Sequence, residues 1–166
     1  MTSSQGWSQF PATLLIRIMV GGVFLSEGIQ KFLFPAEVGA GRFARIGIPT
    51  PEVLGPLVGA IEIGAGAMVL AGLAVRLAVV PLLGIMAVAF LTTKLPILLG
   101  ADLGPFRVRQ IPYYGWWGLA HEGRTDFAMT LGSLYLLAVG AGAWSLDEIR
   151  SRRGVRGGSP PPGDGS

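Results

Sequence analysis

Four apolar stretches of bilayer-spanning length, and a carboxylate in the middle of one of them, constrain this chain more than any other feature. The stretches run roughly over Ala12–Phe34, Val53–Leu73, Leu77–Leu99 and Phe127–Trp144. A helix needs about 17–25 predominantly apolar residues to cross the hydrocarbon core. Glu62 sits near the centre of the second stretch. A carboxylate there costs about 2.5–3.5 kcal/mol on insertion scales, so it must face a partner, a cavity or a site rather than lipid. Arg17, Glu27, Lys31 and Lys94 lie inside other apolar stretches. The expectation is an all-α polytopic membrane protein, an antiparallel bundle of four transmembrane helices around a buried polar centre.

The rest of the chain agrees with that class. Only 14% of its residues are charged and 51% are hydrophobic, whereas soluble domains carry about 25% charged residues. One membrane domain over 1–150 is expected, followed by a basic, then Gly-, Pro- and Ser-rich tail over 151–166 that reads as disordered. The net charge of +3 comes largely from Arg150, Arg152, Arg153 and Arg156, just after the last apolar stretch. Such a cluster points to anionic lipid at the cytoplasmic face, not to nucleic acid. With no cysteine the chain has no disulfide, thiol nucleophile or iron–sulfur ligand. Its single histidine, His121, excludes a bis-His haem within one chain. The start, Met1 to Phe10, is polar and lacks the basic beginning of a signal peptide, so the first stretch is expected to remain as a membrane helix.

Prolines mark the ends of the first span, Pro11 before it and Pro35 after it. Pro81 and Pro96 fall inside the third, where neighbouring helices can satisfy the freed carbonyls. The short link around Arg76 makes the second and third spans an antiparallel hairpin. Four spans place both termini on one side, side A, with Arg76 and the tail arginines. Side B carries Arg42, Arg45, Arg107, Arg109 and Arg124. The tail cluster assigns side A, and with it both termini, to the cytoplasm.

The charges fall on particular helix faces. Gly55, Gly59, Glu62 and Gly66 recur at helical spacing, which places Glu62 on a face of small residues where another helix approaches closely. On the first span Arg17, Glu27 and Lys31 fall within an arc of about 80°, beside Gly21 and Gly28. Glu27 and Lys31 form a favourable i, i+4 pair. Glu27 and Lys94 lie about 8–10 Å inside side B and Glu62 about 14 Å inside, at 1.5 Å per residue. A cluster of Glu27, Lys31, Glu62 and Lys94 is therefore geometrically open, with Arg17 reaching toward Glu62 from side A. The plainer alternatives are that Lys31 and Arg17 snorkel to the interfaces and that Glu62 merely locks the bundle.

The loop before the fourth span holds Tyr113, Tyr114, Trp116 and Trp117 beside Arg107 and Arg109. An interfacial aromatic belt is the main reading and a lid over a flat aromatic ligand the other. His121, Glu122 and Asp126 follow. One histidine without clustered ligands points to a surface role rather than to a metal site.

Taken together these residues resemble the DoxX family of small four-helix bacterial membrane proteins. The first span holds Arg17 and then Glu27-Gly28-Ile29-Gln30-Lys31, similar to the family's His/Glu-Gly-x-x-Lys pattern. Phe43 to Pro49 resembles its Phe-x-x-x-Gly-hydrophobic-Pro turn. Gly59, Glu62, Gly66, Gly72 and Arg76 resemble its Gly-x-x-Glu helix ending before an arginine. Gly140 to Asp147 resembles its closing Gly-x-Gly-x-x-Ser-Leu-Asp. The resemblance covers about residues 12–148 and implies two themes. One is the membrane subunit of a quinone-dependent oxidoreductase acting on thiosulfate. The other is a membrane component of oxidative-stress defence, associated with soluble redox or sulfurtransferase subunits. On the first theme Glu62 and Glu27 would exchange protons, while Arg17, Lys31 and Lys94 would bind quinone oxygens or an anionic reductant such as thiosulfate. On the alternative reading the chain is a non-catalytic anchor, and its buried charges specify packing. A homo-oligomer is compatible with either, and a small transporter is a third, weaker reading.

Overall fold

The computed structural model describes residues 12–150. The polar start and the expected disordered tail over 151–166 lie outside the described residues. Within them the fold is all-helical: α1 (Ala12–Leu33), α2 (Ala40–Arg45), α3 (Pro51–Ala71), α4 (Val75–Ala89), α5 (Leu95–Leu99), α6 (Gly115–Glu122) and α7 (Arg124–Val139), with a π-helical turn over Phe90–Lys94 joining α4 to α5. Among the described residues three helices are long and apolar enough to cross a membrane: α1, α3 and the continuous Val75–Leu99 helix. The last expected span is shorter than its apolar stretch. α7 has 16 residues and stops where Gly140 takes a φ of +88°, a length of about 24 Å at 1.5 Å per residue.

Glycine pairing sets the closest helix contact. α1 and α3 run antiparallel with Gly21 against Gly66 and Gly28 against Gly59. A Cβ on Gly28 would lie 2.7 Å from the Gly59 carbonyl oxygen, and one on Gly66 would lie 2.8 Å from the Leu25 nitrogen. Membrane helices gain little from apolar area against lipid, so close backbone approach supplies the packing energy. Gly28→Val is expected to destabilise by about 1–3 kcal/mol through overpacking, whereas Gly64→Ala, whose added Cβ meets nothing within 4 Å, is expected to be silent. Thermal unfolding of the two variants in detergent checks this contrast.

The remaining helices close around that pair. α4 turns back from α3 through Gly72, which caps α3 at a φ of +69°. α7 packs on both α1 and α4: Val20 meets Gly132, and Thr13 shares a hydrogen bond with Tyr135. The apolar core is Val20, Phe24, Val69, Val79, Leu82, Met129 and Leu136 with their neighbours.

The A end is fastened by polar groups. Arg17, almost fully buried, donates from Nε to the Val69 carbonyl (3.0 Å) and from Nη2 to that of Leu70 (2.7 Å). Its Nη1 donates to the carbonyls of Ala141 (3.3 Å) and Trp144 (3.2 Å). Two of these belong to the last turn of α3, where carbonyls lose their i+4 partners, although that of Val69 also accepts from the Gly72 N–H at 3.1 Å. Asp147 accepts a hydrogen bond from the Ala74 backbone N–H, and its own N–H donates to the Gly72 carbonyl. Ser145 Oγ donates to the Gly142 carbonyl and accepts from the Glu148 N–H. The closing Gly-x-Gly-x-x-Ser-Leu-Asp segment is thus a clasp on the α3–α4 hairpin.

Candidate functional site

The B half of the helical array encloses a cavity of about 670 Å³, lined by α1, α2, α3, α4, the π turn and the α7 start. Its apolar wall includes Phe24, Leu54, Val58, Ile85, Met86 and Met129. Its size falls in the range of small-molecule sites, and it combines apolar walls with a few fixed polar groups, the usual character of such sites.

One charged wall comes from α1 and α3. Lys31 Nζ lies 2.6 Å from Glu62 Oε2 and 3.9 Å from Glu27 Oε2. The glycine-paired backbones bring the helices close enough for this contact: a Cβ on Gly59 would lie 3.3 Å from that of Lys31. The Lys31 side chain is only 8% exposed and that of Glu62 4%, whereas Glu27 is 45% exposed. Snorkelling of Lys31 is therefore overturned: the lysine turns inward because Glu62, one turn deeper on α3, offers a desolvated partner.

The other charged wall comes from the π turn, the end of α6 and the first turn of α7, with Arg109 from the preceding loop. Lys94 Nζ lies 2.9 Å from Asp126 Oδ2 and also donates to the Glu122 carbonyl. Arg109 pairs with the Glu122 carboxylate at 3.3 Å. The π turn has a local cause. Pro96, just beyond it, has no N–H for the Thr92 carbonyl, and a widened turn absorbs the mismatch. Thr92, Thr93 and Lys94 are all buried there and line the cavity.

Four of the five residues expected to carry the chemistry line this one cavity: Glu27, Lys31, Glu62 and Lys94. They divide between two ion-pair groups, because Lys94 is taken by Asp126 and Glu122 rather than by Glu27 or Glu62. Arg17 is the exception. It neither approaches Glu62 nor snorkels; the four carbonyls of the A end hold it. Sequence reasoning missed Arg42, Arg109, Glu122 and Asp126 as cavity residues. Asp126 carried a usable signal, an acid just before the fourth apolar stretch, at the same B end as the lysine near the close of the third. Arg42 and Arg109 carried none, since loop packing places them: the Arg107 N–H donates to the Ile46 carbonyl, and Gly47, at a φ of +83°, presses on the Pro105 carbonyl.

The aromatic run does not line the cavity. Trp116 and Trp117 are largely exposed, and the His121 ring packs edge-on to Tyr113 at 6.2 Å. A second, shallower concavity of about 640 Å³ lies at the A end around Arg76, Gly140 and Asp147. Its polar groups serve the clasp, since Arg76 donates to the Ala138 carbonyl and the Asp147 carboxylate accepts from the Ala74 N–H at the start of α4.

Lys94→Met is expected to strand Asp126 and lower stability by about 1–3 kcal/mol. Adding Asp126→Leu to it is expected to restore most of the loss. Thermal unfolding of the single and double variants measures that coupling.

The DoxX family profile matches residues 12–95, from the start of α1 through Lys94 and the residue after it. The chain belongs to the DoxX family. It is also 49% identical over 144 residues to the uncharacterized membrane protein Rv3486 of Mycobacterium tuberculosis, covering 86% of this chain and 83% of that one. No solved structure matches it. The DoxX match includes Glu27, Lys31, Glu62 and Lys94, whereas Asp126, Glu122 and the closing clasp lie beyond it.

Proposed function

We propose that this DoxX protein is the membrane component of a redox system and binds a lipid-soluble quinone in the B-half cavity. The observation that carries the reading is the cavity itself, with apolar walls and two nearly buried lysines, each held by a carboxylate. A quinone head group fits about 670 Å³. It presents two acceptor oxygens, and Lys31 and Lys94 each have N–H groups left to donate. When bound, quinone supplies the electron acceptor. The chain's own residues bind it, orient it and move its protons.

In this account Glu62 exchanges a proton at the buried end, and Glu27 links that end to water through Lys31. Electrons come from a soluble partner, because the chain has no cysteine and only one histidine. α7 completes a four-span bundle in the bacterial inner membrane, with α1 starting and α7 ending on the cytoplasmic side. A second reading is favoured by a specific feature: both lysines already have partners within the chain, as expected of a packing lock in a non-catalytic anchor for redox partners.

Quinone binding by wild type and Glu62→Gln, purified in mild detergent, separates the two. Saturable binding that weakens at least about tenfold in a folded variant, a loss of about 1.4 kcal/mol, supports the quinone site. A folded wild type that binds no quinone favours the anchor.

A further inference from the structure

The charges lining the cavity cancel. Lys31, Arg42, Lys94 and Arg109 face Glu27, Glu62, Glu122 and Asp126. The balance holds among the most buried groups too, as Lys31 with Glu62 at 2.6 Å and Lys94 with Asp126 at 2.9 Å. An entering anion therefore finds neither buried lysine free. An anion at Lys31 or Lys94 must either sit against the Glu62 or Asp126 carboxylate that already neutralises the lysine, with like-charge repulsion in a desolvated site, or displace that carboxylate and leave it unpaired. A neutral acceptor displaces nothing. Each ammonium has three N–H groups. Lys31 has one close partner in Glu62, with Glu27 at 3.9 Å beyond hydrogen-bond reach, and Lys94 uses Asp126 and the Glu122 carbonyl. Both lysines can serve one more oxygen without breaking an ion pair.

We infer that the cavity selects uncharged amphipathic ligands with carbonyl or hydroxyl oxygens and rejects anions of the same shape. The inference rests on the cavity being a quinone site and narrows it. An anionic reductant such as thiosulfate is not held here. Its oxidation belongs to a partner, and only the neutral carrier reaches Lys31 and Lys94.

The test compares menadione with its ring sulfonate, and thiosulfate alone, on the full-length protein in mild detergent. Binding is read by calorimetry. The expected result is menadione at least about tenfold tighter than the sulfonate, a difference of about 1.4 kcal/mol, with no binding of thiosulfate. Asp126→Asn, which leaves one lysine without its carboxylate, is expected to narrow or reverse that preference. If Asp126→Asn does not fold, Glu27→Gln is the second variant: Lys31 keeps Glu62, but the lining loses one negative charge and its balance tips positive, which is expected to narrow the preference in the same direction. A sulfonate that binds wild type as tightly as menadione overturns the inference and leaves the quinone site standing. A preference unchanged in both variants also overturns it. If neither ring compound binds folded wild type, the quinone reading fails and this inference with it.

Discussion

Arg17→Met is expected to be the most destabilising single change in the protein, by about 3–5 kcal/mol, with much of the chain failing to accumulate folded. The magnitude follows from four carbonyls losing one donor group, although that of Val69 keeps the Gly72 N–H. An unsatisfied buried carbonyl costs about 1–3 kcal/mol, discounted because two of the four bonds are 3.2 Å or longer. Arg17→Lys is expected to rescue little. A single ammonium on a flexible stem cannot span α3 and the 141–144 segment as the planar guanidinium fork does. The defect is also expected to be local to the A end. Ligand binding by the fraction that folds should remain near wild type, because Arg17 does not line the cavity. Thermal unfolding in detergent, with ligand binding on the folded fraction, checks both parts.

Glu62→Ala is expected to have the next largest effect, about 3–5 kcal/mol, because it leaves Lys31 buried with only the distant, half-exposed Glu27 to offset its charge. Glu62→Gln should cost less, since the amide still accepts a hydrogen bond from Lys31. Lys31→Met together with Glu62→Leu should recover most of the stability, as apolar pairs of matched volume often do when they replace a buried ion pair. Binding should not recover with it. A double variant with near-wild-type unfolding and no ligand binding would show that the pair is retained for the site rather than for the fold. A double variant that still binds would show the reverse.

The legible and illegible parts of the fold divide by physical cause. Helix length and the glycine face of α3 were readable, because apolar runs and the 3.6-residue period follow from sequence. The Gly21–Gly66 and Gly28–Gly59 pairs confirm that Glu62 sits on the packing face. Depth along each helix placed Glu27, Lys31, Glu62 and Lys94 in one half of the structure. What depth could not give is which acid each lysine takes. That depends on rotation about the helix axes, and the π turn at Phe90–Lys94 changes the rotation of Lys94 in particular. Arg17 was misplaced for a related reason. Its charge suggested the polar centre, but the frayed carbonyls at the end of α3 are equally strong acceptors, and periodicity does not register them. α7 is shorter than its apolar stretch because Gly140 and Gly142, both at positive φ, turn the chain into the clasp.

Photolabelling with an azido-quinone, mapped by peptide mass spectrometry, tests the central claim most directly. The expected result is labelling, competed by unlabelled quinone, on the segments carrying Val58 and Glu62, Ile85 to Lys94, and Met129. Label confined to lipid-facing residues such as Leu15, Leu77 or Leu131, or label that excess quinone does not displace, would contradict it.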